Sequence, residues 1–557
     1  MKKINKKNIK KKKAAVAYIS MEIALENEIK NYAGGLGVLA GDILRSAADL
    51  SFPMVGVTLL NDRGYFKQVI SSDGEQIKRT DSLDFSKLKK LPAQVVVNIG
   101  KEKVKVGVWR YRLRSGGGVT PIYLLDTNTP GNSRANRELT GELYGGNNEY
   151  RLKQEIILGR GAIKILKALD YEIEKFHINE GHGALAAIEL FLDQSGGSDE
   201  ARLEAVRQQC IFTTHTPLAK GQDIFSLPYL KRYQVDWPTS LKGLMDKGEI
   251  NMTRVALYFC AYSNAVSNKH GVVSRRLFPG FKIRTVTNGV NSVFWSAPEF
   301  KKLYDKYLPG WREDNGSLAR ALKIPSQEIW TAHQKAKGRL IRQLNKEKRA
   351  GFKKEVFTIC YARRFTPYKR PEFLLKDMDR LVELQKRAGK IQLIFAGKAH
   401  PQDLDGQELI KQVHTIGKKL AGKIKIVFWE NYDLKKAGYL TAGADLWLNT
   451  PLPPNEASGT SGMKAAHNGV PQASTLDGWW PEGYVKEKTG WAIKKNNPKD
   501  LYNLLEKEIL PLYYKKPSKW ADLMVSIIAL NASFFNTERV LRQYIKEAYK
   551  LEGPRSE

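Results

Sequence analysis

The sequence predicts an α/β protein with two doubly wound parallel sheets that face each other across a cleft. At 557 residues the chain is longer than single hydrophobic cores usually grow, so we expect at least two domains. Short runs rich in Val, Ile and aromatic residues alternate with longer segments of helical periodicity, which is typical of βαβ units. This alternation of predicted strands and helices occurs twice, on either side of a lysine-rich helical stretch from about Phe300 to Lys354.

In the first half, strands are predicted at AVAYIS, FPMVGVTLL, FHINE, CIFTTHT and IRTVTNG. Helices are predicted at segments such as GALAAIELFLDQ and TRVALYFCAYSNAVS. An antiparallel excursion is predicted over AQVVVNIGKEKVKVGVWRYRL, where polar and apolar residues alternate on both sides of an Asn-Ile-Gly-Lys turn.

In the second half, strands are predicted at FTICYARR, IQLIFAGK, IKIVFWEN and DLWLNT, and each is followed by a helical segment. We place the change of domain at Asn291, which gives an N-terminal domain over 14–291 and a C-terminal domain over 292–557. Residues 1–13 contain eight lysines and are predicted to form a basic disordered tail. Loops at the carboxyl ends of both sheets would line the cleft between the domains.

Composition excludes several classes of protein. The net charge of +33 suits nucleic acid, but the cations outside the tail are scattered over helical surfaces without an aromatic platform. No apolar stretch is long enough to cross a bilayer, and the start lacks a signal peptide's cleavage pattern. Cys210, Cys260 and Cys360 lack the spacing of a zinc site or a disulfide framework. We therefore predict a cytoplasmic protein without a nucleic-acid partner, membrane contact or metal.

A glycine cluster follows the first predicted strand. Gly34, Gly35 and Leu36 belong to the segment YAGGLG, which precedes the helix LAGDILRSAADL. Glycines let backbone N–H groups approach an anion closely, and the start of a helix adds partial positive charge. This turn therefore predicts phosphate binding, although such a turn also fits a role in packing alone.

Two cations follow the predicted strand FTICYA. Arg364 and Lys369 lie in ARRFTPYKR, at the carboxyl end of that strand. Arg offers a planar fork and Lys a point charge to an anion in the cleft. On charge alone, however, a solvated basic loop is the better explanation.

Lys464 ends the turn EASGTSGMK, which follows the strand DLWLNT. The small residues of this turn, Gly459 and Thr460 among them, leave room for a bulky group and supply N–H and O–H donors. A partly buried lysine readily loses its proton, which Schiff-base formation with pyridoxal phosphate requires. A lysine on the surface is the alternative.

These motifs together resemble one family. Six motifs are similar to those of the α-glucan (glycogen, starch, maltodextrin) phosphorylases, and most closely to those of their short prokaryotic branch. They occur in the same order as in that family: NYAGGLG, HINEGHG, TTHTPLAKGQ, VTNGVNSVFW, YARRFTPYKR and EASGTSGMKAAHNGV. The resemblance runs from about Val16 to about Tyr549. It implies two facing Rossmann-like domains of the GT-B type, with the active site in the interdomain cleft and a terminal helix packed on the N-terminal domain.

The resemblance also implies a role for each residue. Lys464 would form an imine with pyridoxal phosphate, and Arg364 and Lys369 would hold the substrate phosphate beside the cofactor phosphate. The other cofactor-binding residues would be Gly35, Gly459, Thr460, Trp295 and Tyr432. The substrate-binding residues would be Glu456, Asn288, His215, His182, Gly34, Gly35 and Leu36. For His182 and His215 a purely structural role is the alternative, and Asn179 lies in the same cleft segment as His182.

The activity implied by the resemblance is reversible phosphorolysis of terminal α-1,4-glucosyl units with retained configuration, which gives α-D-glucose 1-phosphate. The substrate phosphate would protonate the leaving oxygen and take a proton from the cofactor phosphate. The partners would be an α-glucan or maltooligosaccharide and orthophosphate, and a homodimer is expected.

Two other functions are weighed against this one. A nucleotide-sugar-dependent glycogen or starch synthase would carry a second glutamate eight positions after Glu456, where this chain has Lys464. A glucan-binding or nucleic-acid-binding protein without activity would not need Lys464, Arg364, Lys369 and Glu456 together.

Overall fold

A computed structural model describes residues 12–233, 235 and 243–551. Its strands are β1 (Lys12–Ser20), β2 (Met54–Leu59), β3 (Lys67–Ile70), β4 (Gln76–Arg79), β5 (Lys89–Ile99), β6 (Glu102–Ser115), β7 (Gly118–Asp126), β8 (Tyr171–Asn179), β9 (Cys210–Thr213), β10 (Ile224–Ser226), β11 (Glu249–Asn251), β12 (Tyr262–Ala265), β13 (Arg284–Thr285), β14 (Phe357–Ala362), β15 (Ile391–Ala396), β16 (Lys425–Phe428), β17 (Leu446–Asn449), β18 (Gln472–Thr475) and β19 (Gly490–Ile493).

The helices are α1 (Gly35–Asp49), α2 (Arg134–Arg137), α3 (Asn148–Ala168), α4 (Leu185–Leu192), α5 (Asp199–Gln209), α6 (Leu227–Arg232), α7 (Met252–Phe259), α8 (Asn268–Leu277), α9 (Ser292–Trp295), α10 (Pro298–Tyr307), α11 (Ser326–Lys348), α12 (Met378–Ala388), α13 (Leu404–Lys419), α14 (Leu434–Gly443), α15 (Ser461–Ala466), α16 (Trp480–Gly483), α17 (Pro498–Leu504), α18 (Leu510–Lys515), α19 (Pro517–Ile527) and α20 (Thr537–Gln543). A π-helical turn, Tyr544–Tyr549, extends α20.

Within the described residues, the first sheet has nine strands in the order β13-β12-β9-β8-β1-β2-β7-β6-β5. The strands from β13 to β7 pair in parallel, whereas β6 pairs antiparallel with both β7 and β5. The chain builds outwards from β1 in one direction and then returns to add β8 on its other side. This reversal is a topological switch point, where the loops at the carboxyl ends of the strands separate and leave a crevice.

In the part of the chain that the structure describes, the second sheet has six strands in the order β16-β15-β14-β17-β18-β19, and all of its pairs are parallel. In chain order these are strands 3-2-1-4-5-6, the order of a doubly wound sheet. β14 and β15 are buried along their whole length, as expected when helices cover both faces. Its switch point lies between β14 and β17.

The predicted α/β class with large parallel sheets is confirmed. The antiparallel excursion is also confirmed as β5 and β6, joined at Gly100, whose φ of +61° favours glycine. One prediction is wrong: the helix over TRVALYFCAYSNAVS ends at Phe259, and its second part forms β12. β12 pairs with β9 and β13, and its buried Asn264 accepts a hydrogen bond from Thr213 (2.9 Å).

The predicted tail lies almost wholly outside the described residues. Lys12 and Lys13, which were assigned to it, begin β1. The domain boundaries at 14–291 and 292–557 stay predictions. No helix within the described ranges is long and apolar enough to cross a membrane.

The last helical segment packs on the first sheet. The Tyr549 hydroxyl lies 2.7 Å from Nδ1 of His177 on β8, and both groups are buried. The hydroxyls of Thr537 and Ser46 lie 2.7 Å apart, which joins α20 to α1. Because each buried polar group needs a partner, these pairs fix the position of residues 537–549 on the first sheet.

A hairpin formed by β3 and β4 (67–79) crosses from the first sheet to the carboxyl ends of the second. The Gln68 backbone N–H donates to Asn431 Oδ1 (3.2 Å), and the Asn431 backbone N–H donates to Gln68 Oε1 (2.8 Å). The Gln76 amide forms a similar reciprocal pair with the backbone of Ala399, at 3.0 Å in each direction. Gln68 Nε2 also donates to the Gly397 carbonyl (2.9 Å). The hairpin therefore holds the two halves of the chain together beside the site described below.

Replacement of Gln68 by Ala is expected to lower the free energy of unfolding by about 2 kcal/mol, because it leaves the Asn431 N–H and the Gly397 carbonyl without a partner. Urea denaturation measures the change. Gln412→Ala is the control, since within the described residues the exposed Gln412 amide has a single hydrogen bond, to Glu408 at 3.4 Å. Equal midpoints for the two variants would show that the hairpin contacts contribute nothing to stability.

Candidate functional site

A cavity of about 960 Å³ lies between the carboxyl ends of the two sheets. One wall comes from loops that follow β1, β8 and β9, and the other from loops that follow β14, β15, β16 and β17. These are the strands next to the two switch points, which is where open α/β sheets bind ligands. All the predicted site residues line this cavity: Gly34, Gly35, Leu36, His182, His215, Asn288, Trp295, Arg364, Lys369, Tyr432, Glu456, Gly459, Thr460 and Lys464.

Lys464 lies on α15, at the bottom of the cavity, and only 6% of it is exposed. Its amine is 4.0 Å from the centroid of a Trp295 ring. Burial lowers the pKa of this amine from 10.5 to about 8; the Asp42 carboxylate opposes the decrease and Arg45 adds to it. Lys464 is therefore neutral in a large fraction of molecules near pH 8, unlike a lysine on the surface.

The turn before Lys464 is shaped by its glycines. Gly459 has a φ of +82°, a conformation that side chains other than glycine rarely adopt. Thr460 caps α15 and its carbonyl accepts the Lys464 backbone N–H (3.2 Å). Tyr432 follows β16 and packs against the cluster that contains Trp295 and Met463, where burial raises the pKa of its hydroxyl. The turn thus brings a buried amine to the wall of a large space.

The glycine loop is attached to a carboxylate. Glu22 follows β1, and its Oε2 accepts the backbone N–H groups of Ala33 (2.5 Å) and Gly34 (3.2 Å). Gly35 begins α1, so the N–H groups of its first turn have no carbonyl within the helix. A Cβ added at Gly34 or Gly35 would meet nothing within 4 Å, so the backbone there borders open space. The donors of Gly35 and Leu36 therefore remain available to a ligand.

Glu456 lies between two cations. Its Oε2 accepts hydrogen bonds from Arg363 Nη2 (2.5 Å) and from the Lys369 amine, and all three side chains are buried. Burial raises the pKa of this carboxyl, but Arg363 and Lys369 outweigh burial and lower it to about 2. Nε and Nη1 of Arg363 are buried without a partner among the described residues. One carboxylate thus only partly compensates the positive charge on this side of the cavity.

Arg364 differs from Arg363, its neighbour after β14. Its side chain is exposed and lines the cavity, and no carboxylate of the described residues lies within ion-pair distance of it. An exposed guanidinium in a concave site is a ready partner for an anion. The two arginines therefore differ: Arg363 is paired with a carboxylate, whereas Arg364 has no carboxylate partner among the described residues.

The polar residues after β8 and β9 form the far wall. His182 Nε2 lies 3.0 Å from Asp223, and its Nδ1 is buried without a partner in the described ranges. The backbone N–H of His215 donates to Glu180 (2.7 Å), and its ring contacts the Asn179 amide (2.7 Å). Asn179 is therefore a support for His215, because it does not line the cavity itself.

Asn288 enters the cavity from the loop after β13. It is 3% exposed, and its Oδ1 has no hydrogen-bond partner among the described residues. A buried amide oxygen without a partner is costly, so a hydroxyl donor from a ligand would stabilise it. The residue itself is part of the cavity lining.

Sequence reasoning missed several residues of the site. Arg363 was not chosen because nothing in the sequence distinguishes it from Arg364. Glu22 and Asp42 carried a signal, since each is an acid within an otherwise apolar segment next to a predicted strand or helix. Glu180 and Asp223 lie at the same carboxyl edge and were likewise not predicted. No group of three or more His, Cys, Asp or Glu side chains in the described residues could hold a metal ion.

Glu456→Gln is expected to lower the free energy of unfolding at pH 7 by about 3 kcal/mol, because a carboxyl pKa that falls from 4.5 to about 2 on folding corresponds to that difference. The folded-state pKa is lowered, so this stabilisation is present above pH 4.5 and is lost as the pH falls towards 2. Chemical denaturation at a series of pH values measures it. The exposed Glu408→Gln is the control, and parallel pH profiles of wild type and Glu456→Gln would contradict the expectation.

Comparison with known proteins gives relatives along most of the chain. Residues 239–482 match the family model Phosphorylase, described as carbohydrate phosphorylase. Glycogen phosphorylase of Aquifex aeolicus is 35% identical over 96% of this chain and 86% of its own length. Maltodextrin phosphorylase of Thermococcus litoralis is 35% identical over 97% of this chain and 71% of its own length. Glycogen phosphorylase of Mycobacterium tuberculosis is 33% identical over 96% of this chain and 70% of its own length.

This similarity extends well beyond the cavity. The matched regions cover 96% and 97% of this chain in the first two relatives. Identity of this extent over most of both chains establishes common descent, and the chain therefore belongs to the carbohydrate phosphorylase family.

Proposed function

We propose that this protein is an α-glucan phosphorylase, which transfers terminal α-1,4-glucosyl units to orthophosphate, reversibly and with retained configuration, to give α-D-glucose 1-phosphate. One observation carries the proposal: the cavity places the buried amine of Lys464 together with Arg363, Arg364 and Lys369. Relatives at 33–35% identity that are named glycogen or maltodextrin phosphorylase support it.

The active site would be the cavity itself, in the cleft between two facing Rossmann-like domains of the GT-B type. The strand orders on both sides support this arrangement, because each sheet directs its switch point towards the same space. The reaction needs two ligands at once, a glucan and phosphate. A cavity with walls from two sheets offers different chemistry on each wall, cationic on one side and rich in hydrogen-bonding groups on the other.

The residues present fit pyridoxal phosphate. The Lys464 amine reaches the cavity, and the flat rings of Trp295 and Tyr432 lie in the same wall region. The two unpartnered nitrogens of Arg363 and the open backbone at Gly35 are suitable donors for a phosphate. When bound, the cofactor would supply a phosphate group close to the substrate phosphate.

The chain's own residues would bind and orient the substrate phosphate. Arg364 offers a guanidinium that has no carboxylate partner among the described residues, and the Lys369 amine is held in place by Glu456. The N–H groups of Gly35 and Leu36 would add donors without charge. Together these groups would allow two anions to lie close to each other in a site that excludes most water.

The glucosyl unit would occupy the opposite wall. Asn288 Oδ1 and His182 Nδ1 are buried atoms that lack partners among the described residues, and sugar hydroxyls are donors of the required kind. Asp223 orients the His182 ring, while Glu180 and Asn179 orient His215. Glu456 was predicted to accept sugar hydroxyls directly, but its Oε2 is already shared by Arg363 and Lys369. We therefore propose that Glu456 acts mainly by positioning those cations.

Nothing observed favours a nucleotide-sugar-dependent synthase, and a lysine amine at position 464 supports cofactor attachment instead. The family is that of the phosphorylases along the matched residues. A homodimer and a cytoplasmic location remain predictions.

Lys464→Ala is expected to abolish the near-ultraviolet or visible absorbance of the bound aldehyde and to abolish glucose 1-phosphate release from maltooligosaccharide and phosphate. Absorbance of the purified protein and a coupled assay measure these effects. Lys398→Ala is a matched control, because Lys398 also lines the cavity and burial lowers its pKa to about 8 as well. If the band disappears in Lys398→Ala and persists in Lys464→Ala, the aldehyde is attached to Lys398 and the proposed attachment to Lys464 is wrong.

Arg364→Gln is expected to reduce kcat/KM for phosphate on the order of 100-fold, since it removes a charged donor to an anion in a partly desolvated site. Initial rates at varied phosphate concentration measure the change. Arg276→Gln, on the exposed side of α8, is the control for loss of one positive charge. Unchanged turnover in Arg364→Gln would mean that another cation binds the substrate phosphate.

A further inference from the structure

Beneath Lys464 lies a buried ion pair that the proposed mechanism does not use. Asp42 and Arg45 lie one turn apart on α1, and Arg45 Nη1 is 3.3 Å from Asp42 Oδ1. Asp42 is 0% exposed and Arg45 is 3% exposed. An isolated charge is costly in such surroundings, so each member of the pair depends on the other.

Both members of the pair are held in a single arrangement. Arg45 Nη2 donates to the carbonyls of Ala24 (3.1 Å) and Leu25, and its guanidinium lies 4.0 Å from the centroid of the Phe294 ring. Asp42 Oδ2 accepts the indole N–H of Trp295 (2.7 Å). This bond fixes the indole whose ring lies beside the Lys464 amine.

The charges around Lys464 come from few elements. α15 itself carries no other charged side chain, and α1 contributes Asp42 and Arg45. Tyr432, Arg363, Lys369 and Glu456 are further ionisable groups of the cavity wall. The Asp42 and Arg45 charges act in opposite directions on Lys464, because one attracts and the other repels a proton on its amine.

We propose that Asp42 is a positioning residue that holds Trp295 against Lys464 and, with Arg45, sets the fraction of Lys464 amine that is neutral. This inference rests on the proposed function, since it assumes that Lys464 is the residue to which the cofactor is attached. The neutral amine is the nucleophile: its nitrogen attacks the aldehyde carbon, a C=N bond forms, and the aldehyde oxygen leaves as water with the two amine protons. Only the unprotonated form can begin this reaction.

The test is the pH dependence of attachment in the full-length protein. The chain is freed of bound aldehyde, mixed with pyridoxal phosphate between pH 6.5 and pH 10, and the rate of appearance of the absorbance band is recorded. Borohydride reduction and peptide mass spectrometry identify the labelled lysine. For the wild type we expect the rate to rise with a midpoint near pH 8, where burial places the Lys464 pKa.

Asp42→Asn keeps an acceptor for the Trp295 N–H but removes the negative charge, so the midpoint is expected to fall by about 1 pH unit. Arg45→Met removes the repelling cation and leaves Lys464 as the remaining positive partner of Asp42, so the midpoint is expected to rise. A purely structural role would slow attachment in both variants without moving the midpoints in opposite directions. Asp49→Asn is the control, a half-buried acid of α1 whose carboxylate accepts a hydrogen bond from the Asn291 amide (2.7 Å).

An Asp42→Asn midpoint equal to or above that of the wild type would overturn the inference. If Asp42→Asn does not fold, Arg45→Met decides alone, and a midpoint that stays or falls rejects the inference. The proposed function fails separately, in the wild type, if the aldehyde does not attach or if the label is on another lysine. Attachment at Lys464 with unmoved midpoints would preserve the function and reject the role of Asp42.

Discussion

The site depends on incomplete charge compensation in a space that is largely removed from water. Arg363, Lys369 and Lys464 are buried on one side of the cavity, with Glu456 as the carboxylate that bonds the first two. Buried charges are costly unless they are paired. The excess positive charge therefore favours any anion that can enter, and the glycine loop adds donors without adding charge. Burial is the main cause of the lowered pKa of Lys464, and the charges that act on its amine are those of Asp42 and Arg45.

Such a site requires that the two sheets keep a fixed position and orientation relative to each other. The charged residues follow β14 and β17, whereas the glycine loop and Glu22 follow β1, more than 300 residues earlier. Two elements oppose separation. The 67–79 hairpin joins its backbone and amides to the loops after β15 and β16, and the segment after α19 returns to α1 and β8. Because these hydrogen bonds are buried or partly buried and several of them are reciprocal, small rotations between the halves would break several of them at once.

Much of the fold was predictable from periodicity. Strands that are buried on both faces, such as β14 and β15, have continuous apolar sequences, and the sequence predicted both of them. β12 was not, because its sequence AYSNAV continues the helical pattern of α7, and only pairing with β9 satisfies Asn264. β18 and β19 were also missed: each is four residues long and is defined by its neighbours in the sheet. Short strands of this kind depend on tertiary contacts that no local pattern records.

For the site, the motifs identified the residues that face the cavity, but they did not identify the residues that hold those side chains. Asp42 shows why. Within LAGDILRSAADL it looks like one polar residue on an amphipathic helix, yet it lies beneath Lys464 and accepts the Trp295 indole N–H from a segment about 250 residues away. A supporting residue is defined by what it touches, and its contacts come from the fold. The environment of Lys464 therefore has two parts. The turn that carries Lys464 can be recognised in the sequence. The buried pair Asp42 and Arg45 reaches Lys464 only because α1 packs against α9 and α15.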